Sequence, residues 1–381
     1  MGKRLLMLGL AGMLLLASFP ALAQTAETPA PQLVDEVVIE DDVPDDGMGE
    51  IVGEADRVPP IIEGLQPLYT TKIKFLTANG ATATIRADQD QNSEALGFAN
   101  KGEVITIYQV YPAYVLAEIN GVAGFILRTC IDENVTVLDP VNTPPYGVVT
   151  TRYVATTTAV AQVHVEPDAS SETFPIEVGA DSRVAILDFV NGFAKVLYWR
   201  SYGYIDAALL KDLAVVAPTD MPMSAETPIA AFSSFFAYNN GVELNDGRVQ
   251  NIIRSCQSMT RVLQSGETLN FNEQVGPYRK DNGYFPAPVL INGQAVPGYG
   301  GGTCQSSSTL YNTVRQLPGV TVLYRRPHGP ACARYLPMHQ DAAVGSDNLN
   351  FIIRNDYPFA IRILAETTGE GVLTIQIFRA E

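Results

Sequence analysis

The sequence is poor in the residues that build structural metal sites and disulfide frameworks. Its 381 residues include four cysteines and three histidines, and no C-x-x-C pair occurs. Structural zinc sites usually draw on closely spaced cysteine pairs, so the sequence gives no support for one. The four cysteines allow three full pairings, and the residues alone do not choose among them. We therefore expect no cofactor and no disulfide-rich scaffold.

Positive charge is also scarce. The chain has 25 lysines and arginines against 41 aspartates and glutamates, which gives a formal net charge of −16. An acidic chain repels nucleic-acid phosphates, so we expect no nucleic-acid partner. With 46% apolar and 17% charged residues, the composition fits globular domains with apolar cores and argues against a disordered chain. The length predicts two or three domains.

Long apolar runs are confined to the N-terminus. Lys3 and Arg4 form a basic start, apolar residues follow from 5 to about 19, and residues 21–23 offer an A-x-A cleavage site. The run is short for a bilayer span, which favours a signal peptide over a membrane anchor. We therefore expect residues 1–23 to be a cleaved signal peptide and the protein to be exported to the periplasm, cell wall or medium. We expect no membrane span after cleavage.

Composition and periodicity divide the rest of the chain into linkers and three folded units. Residues 24–64 are acidic and proline-rich and predict an extended linker. Residues 65–140 and 150–216 repeat one pattern at a spacing of about 80 residues, with short strands rich in β-branched and aromatic residues. A proline-rich linker is predicted at 217–228, and residues 229–381 form the third unit.

Each repeat predicts a small barrel of about five short strands. The repeats resemble the bacterial SH3-type domain through Arg86 and the closing segment 124–126 in the first copy, and through segment 203–205 in the second. Tyr114 and Phe193 stand where that family usually has a tryptophan. The resemblance implies binding of cell-wall peptides or glycans, with a spacer or packing role as an equal alternative.

The third unit contains the segment "YGGGTCQSSSTLYNTV" (299–314), which leads from three glycines through Cys304 into a predicted helix. A cysteine at a helix N-terminus meets free N–H groups and the helix dipole, and both favour the thiolate. Gly301 and Gly302 lack a Cβ atom, so a substrate could approach the thiol closely. Backbone N–H groups of this loop, or the side-chain amide of Gln305, are candidate oxyanion donors.

A nucleophilic thiol needs a base, and the base often has an orienting carboxylate. His328 and His339 follow Cys304 in the same unit, and Asp341 and Asp347 are candidate orienting groups. The order of cysteine, histidine and aspartate is the one that papain-like hydrolases and transglutaminases use, by analogy alone. Two alternatives stay open at this stage. The cysteine can be a packed structural residue, or Cys304, His328 and Asp341 can bind a metal.

At these motifs the third unit resembles the VanW family of bacterial envelope proteins. The resemblance rests on six ordered segments: "LQSGETLNFNEQVGPYR" (263–279), "GYFPAPVLINGQ" (283–294), "GGGTCQSSSTLYN" (300–312), "RPHG" (326–329), "YLPMHQDAAV" (335–344) and "LNFIIRNDYPFAI" (349–361). His339 lies at a departure from the family pattern, which favours His328 as the relevant imidazole. Cys256 and Cys332 fall outside the pattern, and the resemblance therefore supports a disulfide between them.

Together these features predict a mainly β chain with two small SH3-like barrels followed by a mixed α+β domain. The resemblance implies an exported cell-envelope protein that binds or processes peptidoglycan or cell-wall peptides. The expected site is Cys304, His328 and Asp341, in an amidase, peptidase or transpeptidase. The alternative is a non-catalytic wall-binding or envelope assembly module associated with glycopeptide resistance.

Overall fold

The computed structural model describes most of the chain from residue 62 onward. The described ranges are 62–74, 82–111, 113–132, 135–138, 146–217, 225–238, 243–291, 294–328, 333–337, 340–346 and 348–380. The predicted signal peptide and nearly all of the predicted linker 24–64 lie outside these ranges and stay predictions. The described residues are mainly β, as expected, and they form several small sheets. None of their helices is long and apolar enough to cross a membrane.

The first repeat forms one seven-stranded sheet. Its strands are β1 (Tyr69–Lys72), β2 (Thr82–Arg86), β3 (Ala95–Asn100), β4 (Val104–Val110), β5 (Tyr114–Ile119), β6 (Val122–Leu127) and β7 (Thr136–Val137), in the order β3-β2-β6-β5-β4-β1-β7. The turn between β5 and β6 uses Asn120 and Gly121, whose φ angles of 51° and 82° suit a type I′ turn. The described sheet is open between its edge strands β3 and β7, so a closed SH3-like barrel is not confirmed.

The second repeat forms two three-stranded sheets. Its strands are β8 (Tyr153–Thr157), β9 (Arg183–Ile186), β10 (Asp188–Val190), β11 (Phe193–Tyr198), β12 (Ser201–Asp206) and β13 (Leu210–Val215). The sheet orders are β13-β8-β9 and β10-β11-β12. Val163, Val184, Val196 and Tyr198 are buried in the core of this repeat. Neither sheet closes on itself within the described residues, so the second predicted barrel is not confirmed either.

The third unit mixes helices and antiparallel strands, as the sequence predicts. Its elements are β14 (Pro228–Phe235), α1 (Glu243–Met259), β15 (Arg261–Leu263), β16 (Thr268–Asn270), α2 (Phe271–Val275), β17 (Pro286–Ile291), β18 (Gln294–Tyr299), α3 (Thr303–Val314), β19 (Val320–Arg325), β20 (Phe351–Asn355), β21 (Ala360–Glu366) and β22 (Val372–Ala380). They form a four-stranded sheet β14-β22-β21-β15, a three-stranded sheet β16-β20-β19 and the hairpin β17-β18.

Helix α1 has one apolar face that packs into the core of the third unit. Val249, Ile252, Cys256 and Met259 lie three to four residues apart and are all buried, as expected for a helix that covers a sheet. The helix contacts β21 of the four-stranded sheet on one side and β17 of the hairpin on another. It therefore brings the hairpin and the sheet into one core.

Helix α3 is buried along nearly its whole length although many of its residues are polar. The hydroxyls of Thr309 and Thr313 donate to the carbonyl oxygens four residues earlier, at 2.7 and 2.8 Å. The Ser306 hydroxyl lies 2.5 Å from that of Ser255 on α1, and the Thr309 hydroxyl lies 2.7 Å from that of Ser234 on β14. Burial of this polar helix is acceptable because these hydroxyls have hydrogen-bond partners.

The second repeat packs directly on the third unit. Phe235 of β14 and Val372 of β22 belong to the apolar core of the second repeat. The backbone N–H of Ala185 in β9 donates to the Ser233 hydroxyl in β14 at 2.8 Å. The two units therefore share buried side chains and hydrogen bonds.

The junction between these units also depends on Gly371, directly before β22. A Cβ atom there would lie 1.9 Å from the carbonyl oxygen of Glu177, and the residue has a φ of 86°, so only glycine fits.

The proline-rich linker predicted at 217–228 ends inside a strand, because Pro228 pairs with Phe378 of β22. Residues 218–224 of that linker lie outside the described ranges.

Candidate active site

Cys304 is the second residue of α3. Gly302 precedes the helix with a φ of 107°, a left-handed conformation that favours glycine. The N–H and the hydroxyl of Thr303 both donate to the carbonyl oxygen of Gly300, at 3.1 and 2.8 Å. This tight turn fixes the thiol in the first turn of the helix, where backbone N–H groups have no intrahelical partner.

Gly301 and Gly302 line the cavity beside Cys304, but the structure gives a different reason for their missing side chains. A Cβ atom at Gly301 would lie 2.4 Å from the carbonyl oxygen of Pro288 in β17, and one at Gly302 would lie 2.9 Å from the carbonyl oxygen of Arg248 in α1. The space that we expected to admit a substrate backbone is taken by the protein's own backbone. The glycines allow this loop to pack between α1 and the hairpin.

The Gln305 side chain is not available as an oxyanion donor. Its Nε2 donates to the Ser234 hydroxyl at 3.0 Å and to the Phe235 carbonyl oxygen at 3.2 Å. Its Oε1 accepts a hydrogen bond from Nη2 of Arg248. Both amide protons are therefore used inside the core, where Gln305 is 1% exposed. The prediction for this amide is wrong, because the side chain joins α3 to β14 and α1.

His328 and Asp341 lie together beside the thiol. The Nδ1 atom of His328 is 2.5 Å from Oδ2 of Asp341, and the same oxygen accepts the backbone N–H of His328 at 2.7 Å. The two side chains are 8% and 1% exposed. The Cys304 thiol interacts with the same imidazole ring. Because Asp341 holds Nδ1, the other ring nitrogen is left to serve the thiol.

Two serines that follow Cys304 in α3 form hydrogen bonds with the loop that carries Asp341. The Ser307 hydroxyl donates to the Ala342 carbonyl oxygen at 2.6 Å, and the Ala342 N–H donates to the Ser308 hydroxyl at 2.9 Å. Arg325, the last residue of β19, donates through Nη1 to the Asp341 carbonyl oxygen at 2.7 Å. Sequence reasoning missed this role for the serine run, since the run alone does not reveal which loop packs against it.

The three side chains shift one another's pKa values. Burial alone would raise the pKa of the Cys304 thiol, but the positive charge and hydrogen bond of His328, together with a hydrogen bond to Val344, lower it below its ordinary value. Burial acts to lower the pKa of His328, whereas Cys304 and Asp341 raise it well above the ordinary value. Burial acts to raise the pKa of Asp341, but His328 and Arg325 hold it below the ordinary value. The arrangement favours a thiolate beside an imidazolium.

The thiol opens on a cavity of about 210 Å³ between α1, α3, the β17-β18 hairpin and the loop after Asp341. Its lining residues are Arg248, Tyr278, Pro288, Val289, Tyr299, Gly300, Gly301, Gly302, Thr303, Cys304, Gln305, His328, Tyr335, Ala343, Val344, Gly345 and Leu349. Arg248 and Tyr335 are polar members of this lining that the sequence did not single out. Tyr335 begins the segment 335–344 that carries part of the resemblance but had no role assigned to it, and Arg248 lies in none of those segments. Only the folded chain brings both side chains to the thiol.

The remaining predicted residues are not part of this cluster. His339, Asp347 and Cys332 lie outside the described residues. Cys256 has a free thiol that is 3% exposed in the core of the third unit, and burial raises its pKa strongly. The disulfide predicted between Cys256 and Cys332 is therefore not supported.

The alternative of a metal site at Cys304, His328 and Asp341 is not supported by their arrangement. The Asp341 carboxylate points its Oδ2 at Nδ1 of His328, so the carboxylate and the thiol face different atoms of the ring. No group of three or more potential ligand side chains is arranged for a metal ion within the part of the chain that the structure describes.

Comparisons with known proteins agree with the resemblance seen in the third unit. Residues 247–378, which include all three clustered side chains, match the family described as "VanW like protein". The "Uncharacterized protein YoaR" of Bacillus subtilis (strain 168) is 28% identical over 201 residues. That alignment covers 52% of this chain and 65% of YoaR, so this chain spans slightly less than two thirds of its relative.

Similarity to solved structures is weak. NlpC1 and NlpC2 from Trichomonas vaginalis align with TM-scores of 0.17 and 0.18 at 13% and 12% identity. The alignments cover 84% and 83% of this chain, and 95% and 99% of those chains. Such TM-scores are too low to indicate a shared fold. The family match shows that residues 247–378 are similar to VanW-like proteins, and the chain as a whole is similar to YoaR over about half of its length.

Proposed function

We propose that the protein is an exported cell-envelope enzyme that transfers acyl groups of cell-wall peptides through a covalent bond to Cys304. The observation that carries this proposal is the 2.5 Å contact between His328 Nδ1 and Asp341 Oδ2 behind a thiol that lines a cavity. The N-terminal segment 1–23 supports export. The VanW-like match and the SH3-type pattern of the two repeats support a role at the cell wall.

The first chemical step needs a thiolate and a proton donor, and both are present. The Cys304 sulfur attacks the carbonyl carbon of a peptide bond and forms a tetrahedral intermediate. When the intermediate collapses, the carbon–nitrogen bond breaks, and the leaving amine takes the proton of the His328 imidazolium. Asp341 holds the ring in one tautomer and stabilises its charge. The step leaves a thioester on Cys304 and a neutral His328.

The second step returns the enzyme to its starting state. His328 accepts a proton from an incoming water or amine, whose oxygen or nitrogen attacks the thioester carbonyl carbon. The carbon–sulfur bond breaks, and the thiolate and imidazolium are restored. Water as the acceptor gives an amidase or peptidase, and an amine as the acceptor gives a transpeptidase. One cysteine site therefore accounts for all three predicted activities.

The proposal is tested with purified protein, soluble peptidoglycan fragments and mass spectrometry of the products, with and without an added acceptor amine. We expect Cys304→Ser to abolish turnover, with a loss of at least about 10³-fold by analogy with other nucleophile replacements. Cys256→Ala is the matched control, since that thiol is buried in the same domain and away from the cavity. Full turnover by the Cys304→Ser protein would contradict the proposal and favour a wall-binding module.

A further inference from the structure

The cavity beside Cys304 holds a cation that has no carboxylate partner among the described residues. Arg248 projects from α1 into the lining, and its Nη2 donates to the neutral amide oxygen of Gln305. Within the described residues, no carboxylate forms an ion pair with this guanidinium, and the groups that interact with its charge are Tyr335 and Cys304. Burial lowers the pKa of Arg248. A desolvated guanidinium of this kind is stabilised by an anion from outside the chain.

A second unused donor lies at the same place. The Tyr335 hydroxyl is buried and makes no hydrogen bond within the part of the chain that the structure describes. The Ser308 hydroxyl interacts with that of Tyr335, but its own hydrogen bonds are made to Ala342, whose N–H it accepts at 2.9 Å and to whose carbonyl oxygen it donates at 3.3 Å. Buried hydroxyls normally have a partner, so one without any marks a position where a ligand atom fits.

The two donors converge on the thiol. Arg248 and Tyr335 line the same cavity as Cys304, and all three groups interact electrostatically. A guanidinium and a hydroxyl together match the two oxygens of one carboxylate, which accepts hydrogen bonds in its plane. The cavity volume of about 210 Å³ is smaller than the ~300–1,000 Å³ typical of sites for larger ligands. It suits one terminal residue better than a continuing chain.

We infer that Arg248 and Tyr335 form a carboxylate-binding subsite and that the peptide substrate presents its free C-terminal carboxylate there. This inference rests on the proposed function and narrows it. The residue that carries the carboxylate is the leaving group. Its amine takes the His328 proton when the carbon–nitrogen bond breaks, and the rest of the peptide stays on Cys304 as the thioester. The enzyme therefore removes or exchanges the last residue of a peptide and does not cut within a chain.

The test compares a synthetic cell-wall stem peptide that has a free C-terminal carboxylate with the same peptide as its C-terminal carboxamide. We expect the purified protein to release the terminal residue of the acid at least about ten-fold faster than that of the carboxamide, as for loss of a charge-assisted hydrogen bond. Arg248→Gln and Tyr335→Phe should lower this ratio, and Arg248→Gln should bring it close to one. A merely structural defect would slow both peptides alike and leave the ratio unchanged, which would overturn the inference.

Arg254→Gln is the matched control on the same helix. Arg254 donates to Asn282 at 3.0 Å and lies over the Tyr284 ring at 5.2 Å, and it does not line the cavity. Its replacement should leave the ratio of acid to carboxamide turnover at the wild-type value.

A binding measurement separates failure of this inference from failure of the proposed function. Cys304→Ala protein is titrated calorimetrically with the acid and with the carboxamide. If wild-type protein turns over neither peptide but the alanine variant binds the acid more tightly, and Arg248→Gln removes that preference, the subsite stands and the proposed chemistry fails. If both peptides bind equally and are turned over equally, the subsite is refuted and the chemistry stands.

Discussion

The Oδ2 atom of Asp341 accepts two hydrogen bonds from one residue, from Nδ1 of His328 at 2.5 Å and from its backbone N–H at 2.7 Å. The paired contacts fix both the position and the tautomer of the imidazole. A carboxylate that is 1% exposed keeps its charge here because the histidine and Arg325 compensate its burial. Asp341 is thus a positioning residue for the base, and it never needs to touch the substrate.

Replacement of Asp341 by asparagine should lower kcat by about 10³–10⁴-fold, as for other triads that lose the orienting carboxylate. The hydrogen bond that His328 donates to Asp341 raises the pKa of His328, so its loss should move the alkaline limb of the pH–rate profile to lower pH. The measurement is turnover of peptidoglycan fragments against pH. The exposed pair of Arg354 and Asp356 supplies the control Asp356→Asn, which should change neither kcat nor the profile.

The thiol itself should react with iodoacetamide at pH values well below the reference thiol pKa of ~8.5, because His328 lowers the pKa of Cys304. Cys256 should stay unmodified in the native protein, since burial raises its pKa. His328→Ala should shift the reactivity of Cys304 to higher pH. Mass spectrometry of labelled peptides over a pH series measures both cysteines together. A midpoint for Cys304 at or above the reference value would favour the structural reading of this residue.

The serines after Cys304 should matter for catalysis as well as for stability. Ser308→Ala leaves the buried Ala342 N–H without its acceptor and should cost about 1–3 kcal/mol in the free energy of unfolding. We expect kcat to fall too, because the adjacent Asp341 loses its fixed position. Thr313→Ala removes a hydroxyl that bonds only within α3 and should leave kcat unchanged. Urea denaturation and turnover measured side by side distinguish the two effects, and equal kcat values for both variants would contradict this prediction.

The contact between the second repeat and the third unit should respond sharply to a methyl group at Gly371. Gly371→Ala introduces a clash with the Glu177 carbonyl oxygen in addition to an unfavourable φ of 86°. Gly102→Ala has a similar φ of 90° with open space around it and should cost only about 1 kcal/mol. We expect Gly371→Ala to lower the free energy of unfolding by at least about twice as much. Similar urea midpoints for the two variants would contradict this prediction and would show that the backbone at Glu177 can move away from the added methyl group at little cost.

Residue chemistry and the family resemblance together point to the three clustered side chains. A cysteine after glycines at a predicted helix start indicates Cys304 as the thiol, whereas the choice of His328 over His339 rests on the resemblance. The structure brings them together with Asp341, and their catalytic role remains a proposal. The side chain of Gln305 was misassigned because rotamer and hydrogen bonding are decided by tertiary contacts with β14 and α1. Arg248 stands in no local sequence pattern, since the fold alone places it in the lining of the cavity.

The alternation of apolar residues predicts the mainly β fold class, but it does not predict whether a sheet closes into a barrel. Period-two alternation marks a strand and its buried face, and it carries no information on which strands become edges. The first repeat illustrates this, because β2 meets β6 through a single residue pair, Arg86 and Phe125. The proline-rich segment 217–228 was read as a boundary for a similar reason. Proline content marks a change in local structure, and it does not reveal whether the flanking units touch.

Phe235 and Val372 of the third unit are buried in the core of the second repeat. This shared core limits where the chain can be cut to give stable truncated proteins. A cut within 217–228 would expose that core on both products and should yield insoluble fragments. A start near residue 146 keeps the shared core intact. The second repeat and the thiol-bearing unit are therefore expected to fold and unfold together, as one cooperative unit.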